Sequence, residues 1–236
     1  MTQEVTPITL LPALTRFTKG PVHNGNFLLL GSSGCGKSVY GMQLASNAVA
    51  QSYPLIFLTT ERRPSDVVQY AGSFGWKDLH GFRLADCYSC LAGLEPEGEL
   101  SLATDAVLSD VTNLIEKARA DFSFRAIVLD SLTPIMAGMT PETVHKFIHV
   151  LTGKMKKMGA LSLVTLQSEV LDNPIVSYIK SAFDGILEMK IDENPQGSTR
   201  LIRLQALRGA PHTSSWLDFT IGSQGMEFGG VFERLR

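Results

Sequence analysis

No apolar run in this 236-residue sequence approaches the ~20 residues that a bilayer-spanning helix needs. The longest, Phe27–Leu30 and Leu161–Leu166, have the length of buried strands. The stretch from Met1 to Val5 has no basic region leading into an apolar core, so no secretory signal is read there and a cytoplasmic location is expected. Cysteine is scarce: three residues argue for a reducing compartment and against a disulfide scaffold. Cys87 and Cys90 form one C-x-x-C without a second pair or a well-placed histidine, which excludes a zinc site of the usual spacing. His145 and His149, four apart on one face of an expected helix, lack a third ligand and read as solvated surface residues. Neither sign of charge is in excess: 21 basic against 23 acidic side chains leave a formal net charge of −2. That balance argues against bulk attraction to nucleic acid.

What the sequence does have is a glycine loop in the right setting. Gly31-Ser-Ser-Gly-Cys-Gly-Lys37-Ser38 fits G-x-x-x-x-G-K-[ST], preceded by the apolar run Phe27–Leu30. After it Val39, Met42, Ala45 and Val49 recur at helical spacing, so strand, loop and helix follow in order. Gly31, Gly34 and Gly36 free the backbone to aim N–H groups at a polyphosphate, and the helix N-terminus adds partial positive charge. Lys37 reaches toward the β- and γ-phosphates, and the Ser38 hydroxyl is a ligand for Mg²⁺. The segment Gly31, Ser32, Ser33, Gly34, Cys35, Gly36, Lys37, Ser38, Val39 is therefore the expected cradle for ATP. Cys35 reads first as a small filler at a variable position of the loop; a thiol near a helix N-terminus can also have a lowered pKa, and on that second reading its modification would block ATP.

Residues 1–24, with Pro7, Pro12, Gly20 and Pro21, read as an irregular lead, and 25–236 as one domain. Strand 26–30, helix 37–51, strand 55–59 and a helix opened by Pro64 alternate, and the short strand 82–85 follows. Loop 92–103, with Gly93, Pro96, Gly98 and three glutamates, reads as a solvated excursion. Two amphipathic helices come next. Val107, Val111, Leu114, Ile115 and Ala118 mark the first. Val144, Phe147, Ile148, Leu151, Met155 and Met158 mark the second, with Thr140 as N-cap and Pro141 as first helical residue. Strands Ala126–Leu129 and Leu161–Leu166 flank the second helix. The alternation implies an α/β fold with a mostly parallel central sheet covered by helices on both faces. From Gly185 the pattern turns to strands alone (185–191, 199–207, 216–221 and 226–228), an antiparallel hairpin extension.

Ligands in open α/β sheets bind beyond the carboxyl ends of the strands. Three polar residues stand there. Asp130 ends the strand Ala126–Leu129 and is suited to hold Mg²⁺ directly or through water. Glu61, after Thr59-Thr60, is placed to accept a proton from the water attacking the γ-phosphate. Gln167, after Leu166, is placed to sense that phosphate by a hydrogen bond.

Several stretches, in order over roughly residues 20–228, resemble the KaiC-type branch of the RecA-like ATPases. Thr60-Glu61-Arg62-Arg63-Pro64 and Tyr70-Ala71-Gly72-Ser73-Phe74-Gly75-Trp76 are similar to that family's paired glutamates, proline and "ARSFGW". Leu129-Asp130-Ser131-Leu132 resembles its Walker B segment and Ala182-Phe183-Asp184-Gly185-Ile186 its "ADGII". Leu207-Arg208-Gly209-Ala210-Pro211-His212 resembles its "K-x-R-G-x-x-H" hairpin, and Phe219-Thr220-Ile221 its "FxI" strand.

The resemblance implies a RecA-like P-loop fold assembling into a homo-oligomeric ring, commonly hexameric, with ATP between subunits. On that reading Arg208 and His212 approach the nucleotide of the next subunit. Two positions depart from the pattern. The second glutamate is Arg62 here, and the hairpin lysine falls on Ala206, so slow hydrolysis and a nucleotide-dependent regulator of a partner protein are expected. Three alternatives stay open: a recombinase-type protein that handles DNA, an ATP-binding module without turnover, and autophosphorylation at Ser131, Thr133 or Thr140. For DNA, the segment Ser168–Lys180 with Tyr178, helped by Lys154, Lys156 and Lys157, would be the contact.

Overall fold

A computed structural model describes residues 12–18, 24–76, 82–102, 108–194 and 197–232. Helix α1 (Pro12–Phe17) precedes strand β1 (Gly25–Gly31) and helix α2 (Lys37–Ala50). Then come β2 (Leu55–Thr59), α3 (Pro64–Ser73), β3 (Phe82–Asp86) and a short α4 (Tyr88–Ala92). Helix α5 (Leu108–Asp121) leads to β4 (Ala126–Asp130), α6 (Leu132–Met136), α7 (Pro141–Met158) and β5 (Leu161–Gln167). A single 3-10 turn at Ser168–Val170, α8 (Asn173–Ala182), β6 (Gly185–Asn194), β7 (Gly197–Leu207), β8 (Trp216–Gly222) and β9 (Gly225–Phe232) complete the order.

The strands form a nine-stranded sheet in the order β3-β2-β4-β5-β1-β6-β7-β8-β9. From β3 to β6 all neighbours are parallel; β7, β8 and β9 are added antiparallel. This is the mostly parallel α/β sheet with a hairpin extension that the alternation implies. β1 lies between β5 and β6, so its ladder is satisfied on both edges, and its side chains alternate between two cores. Phe27 and Leu29 join the apolar cluster under α1, α2 and α3, while Leu28 and Leu30 join the one under α5, α7 and α8. Because both faces are covered, Phe27–Leu30 must be apolar at every position, which is why they read as an unbroken run rather than an alternation, and the buried Asn26 before them is held by Thr152 and Ser162. Among the described residues no helix is long and apolar enough to cross a membrane.

Three local expectations are corrected. Residues 12–17 are helical rather than irregular, because Ala13, Leu14 and Phe17 share one buried face. Residues 1–11 and 19–23 of the lead, with Pro7, Gly20 and Pro21, lie outside the described residues, as does Val107. The stretch 93–102 is not a free solvated loop. Leu100 and Leu102 are buried, and the fully buried Asp86 carboxylate accepts from the Ser89 and Glu97 amides at 2.9 and 2.8 Å. The Glu97 carboxylate accepts from the Ser65 amide (3.0 Å) in the first turn of α3, where an anion is favoured, and pairs with Arg63. Lastly, residues 168–182 form the 3-10 turn and α8, and Tyr178 is not free. Its ring lies 3.8 Å from that of His145 between centroids, and its hydroxyl donates to the His145 carbonyl at 3.2 Å. His145 is therefore half-buried rather than a solvated surface residue.

Candidate nucleotide site

The carboxyl ends of β1, β2, β4 and β5 converge on one cavity of about 300 Å³. Its lining includes Ser33, Gly34, Gly36, Lys37, Ser38 and Val39 from the loop, with Glu61, Asp130 and Gln167 from the neighbouring strand ends. The glycines have local causes. A Cβ on Gly31 would stand 2.6 Å from the Met189 carbonyl oxygen and 2.6 Å from Cys35 Sγ, so β6 passes too close for any side chain. Gly36 sits at φ +112° under the side chains of Met226 and Ile221, so the β8–β9 hairpin rests on the loop. Gln43 of α2 holds that hairpin, accepting from the Met226 amide at 2.7 Å.

Lys37 Nζ donates to the Gly31 and Ser32 carbonyl oxygens at 2.9 and 2.7 Å, which draws the ammonium back across the loop it belongs to. Asp130 is buried, and that burial pushes its carboxyl above the usual range; hydrogen bonds from Thr165 (2.6 Å) and Ser38 pull the other way. A carboxylate whose charge the fold opposes, hydrogen-bonded to a loop hydroxyl, is an all-oxygen donor pair suited to a hard divalent cation. Glu61 accepts a short hydrogen bond from Ser131 Oγ (2.6 Å), and Ser131 is tied to β2 by its amide, which donates to Thr60 Oγ1 at 2.6 Å. The ends of β2 and β4 are thereby stitched together, and Glu61 is aimed by that stitch. The Gln167 amide donates to Thr133 Oγ1 at 3.0 Å, fixing the end of β5. Ser32, facing Lys37 through its carbonyl, and the buried Cys35 lie within the loop but outside the cavity lining.

Cys35 is buried, as a small filler would be, and this opposes the reading of a lowered thiol pKa. Burial pushes its thiol up rather than down, although Lys37 Nζ lies 3.9 Å from the sulfur and favours the thiolate. A thiol reagent should therefore modify the partly exposed Cys90 first and reach Cys35 only after unfolding, as peptide mass mapping would read. Rapid labelling of Cys35 in the native protein would contradict this.

Arg208 and His212 are elsewhere. Leu207 pairs with Gly185, Gly185 with Phe27, and Phe27 stands four residues before Gly31. At ~3.3 Å per residue, Arg208 lies about 13 Å or more from the loop along the sheet. It lines a second concavity of about 520 Å³ with Asn24, Gly25, Lys156 and Asp184 at the opposite edge, and its guanidinium donates to the Ser181 carbonyl. His212 bridges to Thr18 nearby. Neither lines the loop cavity of its own chain.

Sequence reasoning missed Arg62, Tyr70, Arg200 and Ile221 as lining of the cavity. Arg200 and Ile221 are brought there by antiparallel register, which no local pattern reveals; the Arg200 Nε is buried without a hydrogen-bond partner among the described residues. Other candidates dissolve. Lys154 turns to Glu116 at 3.3 Å and Lys156 to Asp184 at 3.9 Å, so two of the three lysines expected to face nucleic acid are engaged within the chain. Among the described residues no group of three His, Cys, Asp or Glu side chains could hold a metal ion.

The family described as ATPase: KaiC matches residues 8–231. The circadian clock oscillator protein KaiC of Parathermosynechococcus lividus is 28% identical over 204 residues, covering 84% of this chain and 37% of that protein. The protein of the same name from Acaryochloris marina is 26% identical over 229 residues, covering 94% of this chain and 44% of that protein. The chain thus spans roughly two fifths of the length of these relatives. In fold it is similar to the crystal structure of a KaiC-like protein from Pyrococcus horikoshii OT3, with a TM-score of 0.79 at 17% identity, covering 96% of this chain and 100% of that one.

Proposed function

This chain belongs to the KaiC ATPase family, and on that premise we propose that it binds ATP with Mg²⁺ and hydrolyses it slowly within a homo-oligomeric ring that regulates a partner protein. The observation that carries the reading is the convergence of Lys37, Ser38, Asp130 and Glu61 on one cavity at the carboxyl edge of the sheet. Lys37 leaves the Gly31 and Ser32 carbonyls for the β- and γ-phosphate oxygens, exchanging neutral acceptors for charged ones. Ser38 and Asp130 would hold Mg²⁺, which would supply positive charge against the polyphosphate. Glu61, aimed by Ser131, takes the proton of the attacking water, and Gln167 orients the γ-phosphate end of the site.

The two concavities favour a head-to-tail ring. One end of the sheet carries the loop and the other carries Arg208, with His212 beside it, so stacking copies in register brings a cation to each neighbour's nucleotide. A hexamer is the size that the family resemblance implies. With Ala206 in the hairpin and Arg62 after Glu61, this site has fewer neighbouring cations and one carboxylate less than the family pattern, which is the reason for slow turnover.

Phosphate release measured against protein concentration, together with native mass with and without ATP, tests the proposal. The rate per subunit should rise as a ring mass appears, and Arg208→Ala should lower that rate while leaving ATP binding intact. A single-copy mass under every condition, with hydrolysis continuing, would remove Arg208 and His212 from the site.

A further inference from the structure

The departure at position 62 has a structure of its own. The Thr59 hydroxyl donates to the Arg62 carbonyl at 2.7 Å and fixes the backbone there. The guanidinium then lies over the Tyr70 ring, 4.7 Å from its centroid, within the range of a cation–π contact. Tyr70 in turn meets Phe74 edge-on at 5.3 Å, and Phe74 stacks on Trp76 at 4.8 Å, so the shelf under Arg62 is braced by three packed rings. Arg62 and Tyr70 both line the phosphate cavity beside Lys37, Ser38 and Glu61. Among the described residues no carboxylate forms an ion pair with Arg62, whereas its neighbour Arg63 is paired with Glu97 at 3.4 Å. Ala206, paired with Ile186 at the other end of the sheet, supplies no charge where the family resemblance implies a hairpin lysine, so Arg208 is the one hairpin cation of that pattern.

We propose that Arg62, held on Tyr70, is a ligand for the terminal phosphate of a nucleoside triphosphate bound in its own chain, so that one subunit tells triphosphate from diphosphate by itself. The proposal rests on the nucleotide reading above and goes further: beside the Arg208 that a neighbour brings, it places a cation that senses the γ-phosphate in the chain that holds the nucleotide. A planar guanidinium suits the task, since it presents a fork of N–H donors to phosphate oxygens, and an unpaired one gives up no ion pair to do so.

The test is fluorescence titration of mant-ADP and mant-ATPγS, with Mg²⁺ present, into the wild type, Arg62→Gln, Arg63→Gln and Tyr70→Leu. Arg62→Gln should weaken the triphosphate analogue about tenfold, the worth of one charge-assisted contact, while mant-ADP stays within about twofold. Tyr70→Leu should shift in the same direction, and Arg63→Gln, which removes the same charge from a residue facing Glu97, should leave both affinities alone. An equal loss for both nucleotides, no loss, or the same loss in Arg63→Gln overturns the assignment. A wild type that binds neither nucleotide overturns instead the reading on which it rests; a wild type that binds both with an Arg62-independent ratio overturns the assignment only.

Discussion

Lys37→Ala should abolish retention of ATP under conditions in which the wild type holds it. The ammonium is within 2.9 Å of two loop carbonyls, so it already stands at the mouth of the cradle. Each charge-assisted hydrogen bond to phosphate contributes about 1.5–3 kcal/mol, and two lost bonds lower affinity by roughly 10²–10⁴. The fold should survive, because the loop is also held from beneath by Met189 and from above by Met226, neither of which the substitution touches. Equilibrium dialysis with ATPγS at millimolar Mg²⁺ reads the first effect, and a thermal melt reads the second. Wild-type affinity in the folded variant would end the nucleotide reading of this site.

Glu61→Gln separates binding from turnover. The amide keeps the size of the carboxylate and can still accept from Ser131 Oγ, so the stitch between the ends of β2 and β4 persists. What it loses is the capacity to take a proton. General-base catalysis contributes about 10²–10⁴ in rate, so phosphate release should fall by that order with ATP affinity close to wild type. Unchanged turnover would remove Glu61 from the chemistry and leave water activation to another group on the cavity wall.

The fold was legible where one short pattern decides an element. The loop from Gly31 to Ser38 needs a strand before it and a helix after it, and both are present. Pro64 and Pro141 open α3 and α7, with Thr140 as the cap of the second, because a ring without an N–H fits only a first turn. Asp130, Glu61 and Gln167 were legible at or just beyond strand ends, because an apolar run that stops at polar residues marks the carboxyl edge of the sheet. What stayed hidden is whatever depends on register between distant strands. Arg200 enters the cavity by pairing with Phe219 on one side and Ile191 on the other, partners set by hairpins rather than by local spacing. The Asp86 and Glu97 anchors were invisible because one carboxylate accepting two amides looks, in sequence, like any acid in a polar stretch.

The placement of β1 and of the β8–β9 hairpin has a consequence for how the molecule is made. The strand that carries the glycine loop is paired only when residues 161–167 and 185–189 have followed it out of the ribosome. The side chain that closes over Gly36 belongs to Met226, a separation of 190 residues. Contacts that span most of the chain must wait for loop closures whose entropic cost is met late. The loop therefore takes its final shape only after the residues that cover it, Met226 among them, have been made.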